Sequence, residues 1–112
     1  MKIDVRFRSL QSSEFLRDHA VRRVLAHLSR FGTEISGVVV RIADVNGPKG
    51  GLDKQCQVLV RGPRFGSTTL EELSSDAYAA VDLAVERLSR AVGRQLERAR
   101  SLRRRPTLRA AR

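Results

Sequence analysis

Ile3, Val5 and Phe7 alternate with Asp4, Arg6 and Arg8 across Lys2–Arg8, the period-two pattern of a strand with one buried face. The alternation breaks at Ser9–Ser13, where Ser12 or Ser13 can cap a helix. Glu14–Phe31 then reads as a helix stopped by Gly32. Ala20, Val24, Leu28 and Phe31 fall on one face of it, His19, Arg23 and Arg30 on a flank, and Arg22 behind them; Phe15 fits neither. Ile35–Asp44 alternates again, with Val38, Val40 and Ile42 inward and Val39 and Arg41 outward. Asn46–Gly51 is turn chemistry. Lys54–Arg61 forms a third strand with Cys56, Val58 and Val60 on its buried side, and Gly62-Pro63-Arg64 turns the chain. Phe65–Leu73 is a weaker fourth strand supported by Thr68 and Thr69.

The last element is the longest. Ser74 or Ser75 caps it, and Asp76 in its first turn complements the helix dipole. The pattern runs from Asp76 to Arg100, with Tyr78, Val81, Val85, Leu88, Val92 and Leu96 as the apolar face and Gly93 as a weak point. The order β-α-β-β-β-α predicts an α+β fold. A right-handed crossover makes the first two strands parallel, and short turns make the later pairs antiparallel. Each helix has one apolar stripe, so both are expected on one face of a mixed four-stranded sheet.

Composition adds exclusions. The 112 residues, 41% hydrophobic, suit one modest core. No apolar run approaches the ~20 residues of a membrane span, and Met1-Lys2-Ile3-Asp4 opens no secretory signal, so a cytoplasmic location is expected. One cysteine and two histidines supply no metal set. Cys56 points inward beside Val58 and Val60 and reads as a small buried residue rather than a nucleophile. Gly47–Gly51 lacks the phosphate-loop signature, and Asp44 and Asp53 read as solvated loop carboxylates. No catalytic residue, cofactor or small-molecule substrate is expected.

Charge changes the picture most. Lys and Arg total 22 against 12 Asp and Glu, a net +10. Residues 87–112 hold ten arginines and one acid, so +9 of that charge sits in the last quarter of the chain. Arg87, Arg90, Arg94 and Arg98 are spaced by three, four and four, which places them on one helical arc. Asp82–Glu86 and Arg90–Arg94 are like-charged at i,i+4, a repulsion that a polyanion would relieve. Arg22, Arg23 and Arg30, with His19 and His27 as rim residues, would add a second basic flank and close a groove. The arginine fork suits phosphate oxygens. The strands lack the aromatic set of base-stacking sheets, which leaves backbone and shape recognition of nucleic acid. A membrane-surface module is disfavoured because no Trp or Phe lies near the stripe. A solvated, idle helix face and a generic structured-RNA- or DNA-binding accessory protein remain the alternatives.

The last helix reads Asp76-Ala77-Tyr78-Ala79-Ala80-Val81-Asp82 and, further on, Arg87-Leu88-Ser89-Arg90-Ala91-Val92. This resembles the D-x-Y-A-A-I-D…L…K-L-x-R-Q-L run of the ribosome hibernation-promoting factor (HPF/RaiA, sigma-54 modulation protein) family. The opening strand, Leu16-Arg17-Asp18 ahead of Arg23, and the element order are similar too, over about residues 1–101. The resemblance implies a fold like that of double-stranded-RNA-binding domains. It also implies binding to small-subunit rRNA in the channel used by mRNA and the A- and P-site tRNAs, and inhibition of translation in starved or stationary cells. The family's second-helix cations fall on Arg87, Arg90, Arg94 and Arg98, and its late first-helix cation on Arg23; Arg22 and Arg30 extend the set. His27 stands where the family usually has Leu, and the Gly47–Gly51 loop is richer in glycine than usual. The chain's length leaves no room for the C-terminal domain with which long members dimerise ribosomes, so ribosome dimerisation by that route is not expected; a monomer is expected in solution. Residues 1–101 are read as the ribosome-binding domain and 102–112 as an Arg-rich disordered tail.

Overall fold

The computed structural model describes residues 1–45 and 52–103. The Asn46–Gly51 turn and nearly all of the expected tail lie outside the described residues. The elements are β1 (Lys2–Arg8), α1 (Glu14–Leu28), a 3-10 segment (Ser29–Glu34), β2 (Gly37–Asp44), β3 (Lys54–Gly62), β4 (Gly66–Ser74) and α2 (Ala77–Arg103). The sheet order is β1-β2-β3-β4, with β1 and β2 parallel and the other two pairs antiparallel. This is the expected mixed sheet.

The inward positions of the strands meet the helices in one core. Val5, Val38, Val40, Ile42, Val58 and Val60 pack against Leu16, Ala20, Val24 and Leu28 of α1 and Val81, Val85, Leu88 and Val92 of α2. Both helices therefore cover the same sheet face. Leu16, left out of the sequence-derived apolar face, is buried, whereas Phe15 is 80% exposed. Ile3 is only partly buried against the core, because β1 is an edge strand. Tyr78 is exposed at the flank of α2 and meets His19 edge-on, 5.0 Å between centroids; Ala80 and Ala84 complete the buried face instead.

Local chemistry moves several boundaries. Ser13 caps α1 by accepting from the Leu16 N–H at 3.2 Å. The helix tightens to 3-10 geometry after Leu28, and Gly32, at φ +55°, breaks it three residues later with a backbone that L side chains rarely adopt. Ile35 donates its N–H to the Gly32 carbonyl, so β2 begins at Gly37, although the Ile35 side chain is buried. At α2 the cap is Asp76, whose carboxylate accepts from the Tyr78 N–H at 3.3 Å; Ser74 accepts from the Asp76 N–H in the turn before it. The helix runs 27 residues to Arg103, about 40 Å, overlapping the first two residues of the expected tail.

Candidate nucleic-acid interface

On α2, ~100° per residue puts Arg87, Arg90, Arg94 and Arg98 within an arc of about 80°. That arc looks outward and toward β4. Arg87 donates across to Glu72 of β4 at 2.8 Å, and Arg90 turns back one helical turn to Glu86 at 2.7 Å. Arg94 and Arg98 are exposed and form no ion pair among the described residues. The Arg90–Arg94 repulsion expected from i,i+4 spacing is thus relieved within the protein, because Glu86 reaches Arg90 on the same face. That like-charged pair therefore needs no external polyanion to be tolerated.

The α1 cations occupy a different side of α2, roughly 120° round its axis from the stripe. Arg23 lies with Nε 3.1 Å from Asp82 Oδ1 and donates from Nη2 to His27 Nε2 at 2.9 Å. His19 Nε2 meets the same Asp82 oxygen at 2.6 Å. Arg30 donates to the Ser89 hydroxyl at 3.0 Å, and its guanidinium lies 4.5 Å from the centre of the Phe31 ring. Ser89, buried in the seam, donates its own hydroxyl hydrogen bond to the His27 carbonyl at 3.0 Å, near the helix end where carbonyls lack intrahelical partners. Gly93 borders this seam, and a Cβ there would meet Arg30 and Phe31 at 3.8 Å, an ordinary contact that the seam accommodates. Arg22 is exposed, with Nε 3.5 Å from the Asp18 carbonyl.

The seven predicted arginines therefore split into three groups. Arg23 and Arg30 are built into the α1–α2 seam, Arg22 is exposed on α1, and the α2 stripe lies on another side of its helix. The expected single groove is not formed, because β4 rather than α1 flanks the stripe. Asp82 and Ser89 are the residues that sequence reasoning missed here. The signal was present: a serine and an aspartate seven residues apart sit beside the apolar stripe, where a helix has a packed neighbour rather than solvent.

Among the described residues no cluster of three or more His, Cys, Asp or Glu could hold a metal ion, and no helix is long and apolar enough to cross a membrane. Cys56 is buried, and desolvation pushes its thiol up to about 12, against nucleophilic use. Asp53, expected as a solvated loop carboxylate, is buried and accepts from Lys54 Nζ at 2.8 Å. That bond holds the Asp53 carboxyl below its usual range and raises the Lys54 ammonium.

Residues 3–100 match the family described as sigma 54 modulation protein / S30EA ribosomal protein. None of the curated proteins compared with the chain matches it. Among solved structures, the N-terminal domain of Protein Y from Thermus thermophilus is similar, with 29% identity and a TM-score of 0.69 over 84% of this chain and 98% of that one. A ribosomal subunit interface protein from Coxiella burnetii shares the fold, with 22% identity and a TM-score of 0.71 over 84% of this chain and 96% of that one.

Proposed function

This chain belongs to the sigma 54 modulation protein / S30EA ribosomal protein family, and from that premise we propose that it is a cytoplasmic, non-enzymatic hibernation factor. In this reading it binds small-subunit rRNA in the mRNA/tRNA channel and so inhibits translation. The observation that carries the proposal is the pairing of the family match, which spans both helices, with an outward arc of arginines on α2. Among the described residues Arg94 and Arg98 have no carboxylate to release and are available to phosphates at the lowest cost; Arg87 and Arg90 must first exchange Glu72 and Glu86 for RNA. Arg22 adds a free cation, while Arg23 and Arg30 act from the seam, orienting α1 against α2. The tail, 102–112, supplies further positive charge that speeds encounter without choosing the target.

Two measurements test the proposal. In a lysate fractionated on a sucrose gradient, the protein is expected with the small subunit and intact ribosomes; recovery with the nucleoid or free fractions would favour the generic nucleic-acid binder. In filter binding to isolated small subunits, Arg94→Ala with Arg98→Ala should flatten the salt slope by about two units, one per phosphate contact. If this variant binds like wild type while removal of 104–112 abolishes binding, the stripe is a solvated face and the tail is the binding element.

A further inference from the structure

The sheet face turned away from the helices is strongly cationic, and its charges lie largely unpaired. In the register, Lys2 sits beside Gly37, which pairs with Arg61 of β3, and Arg6 sits directly beside Arg41. Arg8 lies in the next outward row beside Ala43. Against these five cations the open face carries Asp4 on β1 and, toward the β4 edge, Glu71. Asp4 pairs with Arg6 at 2.8 Å, and Glu71 is taken by Gln57 at 2.9 Å and Gln55 at 3.2 Å. Lys2, Arg8, Arg41 and Arg61 form no ion pair among the described residues. Among the described residues the Arg41 side chain donates to Gln57 at 3.4 Å.

Like charges side by side on adjacent strands of one face destabilise a sheet. Arg6 beside Arg41 is such a pair, in the middle of the patch, and no carboxylate bridges the two. Small residues along β2, Gly37, Val39 and Ala43, let the surface dip between longer side chains on β1 and β3. Two shallow hollows of about 580 and 430 Å³ result, and Arg6 and Arg41 form the ridge that both share. Three outward rows from Lys2 to Arg6 span about 13 Å along the strands, enough for two to three successive phosphates. Base stacking is not available, since none of the face's outward residues is aromatic.

We propose that this open sheet face is a second nucleic-acid-binding surface, which takes the phosphodiester backbone of RNA across Arg6, Arg41 and Arg61, with Lys2 and Arg8 at its ends. The inference stands apart from the helical stripe and rests on the functional reading only for the choice of RNA as the polyanion. Its cations lie in residues 1–86, whose total charge is nearly balanced. The acids that balance them, Asp18, Glu34, Glu72, Asp82 and Glu86 among them, lie on the helices and their side of the sheet or at the end of the 3-10 segment.

The test uses the full chain and two probes, isolated small ribosomal subunits and poly(U). The variant Arg41→Gln with Arg61→Gln removes two exposed charges and should melt at or slightly above the wild-type temperature, since it relieves the Arg6–Arg41 repulsion. It should weaken poly(U) binding roughly tenfold near 0.15 M salt and flatten the salt slope by about 1.4, the single-strand value for two phosphates. Arg94→Gln with Arg98→Gln serves as the helix-face reference, and the two losses should add if the surfaces are separate. Wild-type affinity and slope for the sheet variant on both probes would overturn the inference. If the variant leaves RNA binding unchanged but abolishes self-association in sedimentation equilibrium, the face belongs to a second copy of the chain and the inference also fails. If wild type ignores small subunits, the ribosomal reading falls while the poly(U) arm still decides this one.

Discussion

Gly62→Ala should be among the most damaging single-methyl additions available in this protein. Gly62 is the last residue of β3, buried where the strand passes the end of the 3-10 segment. A Cβ built there lies 2.1 Å from the Glu34 carbonyl oxygen and 2.4 Å from Phe65 Cε1. The Phe65 ring can swing, but the carbonyl belongs to the backbone and is held on both sides. Ile35 donates to the Gly32 carbonyl, and Ser36 donates to the Arg61 carbonyl at 2.8 Å. Relief to an ordinary carbon–oxygen contact of about 3.3 Å needs more than 1 Å of movement. That movement strains the Ser36–Arg61 hydrogen bond and the packing of buried Ile35. Overpacking costs ~1–3 kcal/mol and a lost hydrogen bond ~1 kcal/mol, so the expected loss is about 2–4 kcal/mol. With a urea m-value of about 1.5 kcal/mol/M, the unfolding midpoint followed by far-UV circular dichroism should fall by roughly 1.3–2.7 M. Gly37→Ala is the matched control, since its Cβ meets only the Lys2 carbonyl at 3.7 Å; it should shift the midpoint by less than about 0.5 M. A Gly62→Ala midpoint as high as that of Gly37→Ala would refute the close approach.

Native Cys56 should resist a thiol reagent at pH 8 and react once the chain is unfolded in urea; because its thiol is raised to about 12 from 9.0, the unfolded state loses this proton first, and stability should fall as pH rises above about 9, less steeply in Cys56→Ala. The Asp53 carboxyl is lowered by its Lys54 bond, so its contribution is present above the ordinary carboxylate range and lost as pH falls through the lowered value; melting temperatures below about pH 4 should converge for wild type and Asp53→Asn. Leu88→Ala empties a fully buried site between α2 and the sheet and should cost ~2–5 kcal/mol in urea unfolding, against less than about 0.5 kcal/mol for the exposed Leu102→Ala.

Alternation and helical periodicity determined most of the architecture. Ile3, Val5 and Phe7, then Val38, Val40 and Ile42, then Cys56, Val58 and Val60 each mark one buried face, since a strand has only two sides. The stripe Val81–Leu96 places α2 with equal certainty, as a packed helix buries one arc. Strand order followed from connection length, and the inward position of Cys56 from parity alone. The α2 motif also carried the family resemblance, which the match over residues 3–100 bears out.

Tertiary structure decided what depends on which surfaces meet. A pattern cannot say that α1 packs on the Asp82–Ser89 side of α2 and β4 on the Arg87 side, so the two basic flanks read as one groove when they are separate. Nor can it say that Glu86 neutralises Arg90 while Arg94 stays free, because i,i+4 partners on a crowded face are chosen by rotamer and neighbours. Gly62 looked like a turn glycine, yet its need is the carbonyl of Glu34, 28 residues away in the chain. The cationic open sheet was invisible to a charge count along the chain, for its balancing acids lie within the same 86 residues but on other surfaces. Parity assigns each residue a side; only the packed sheet shows that Lys2, Arg6, Arg41 and Arg61 share one side with too few acids to neutralise them.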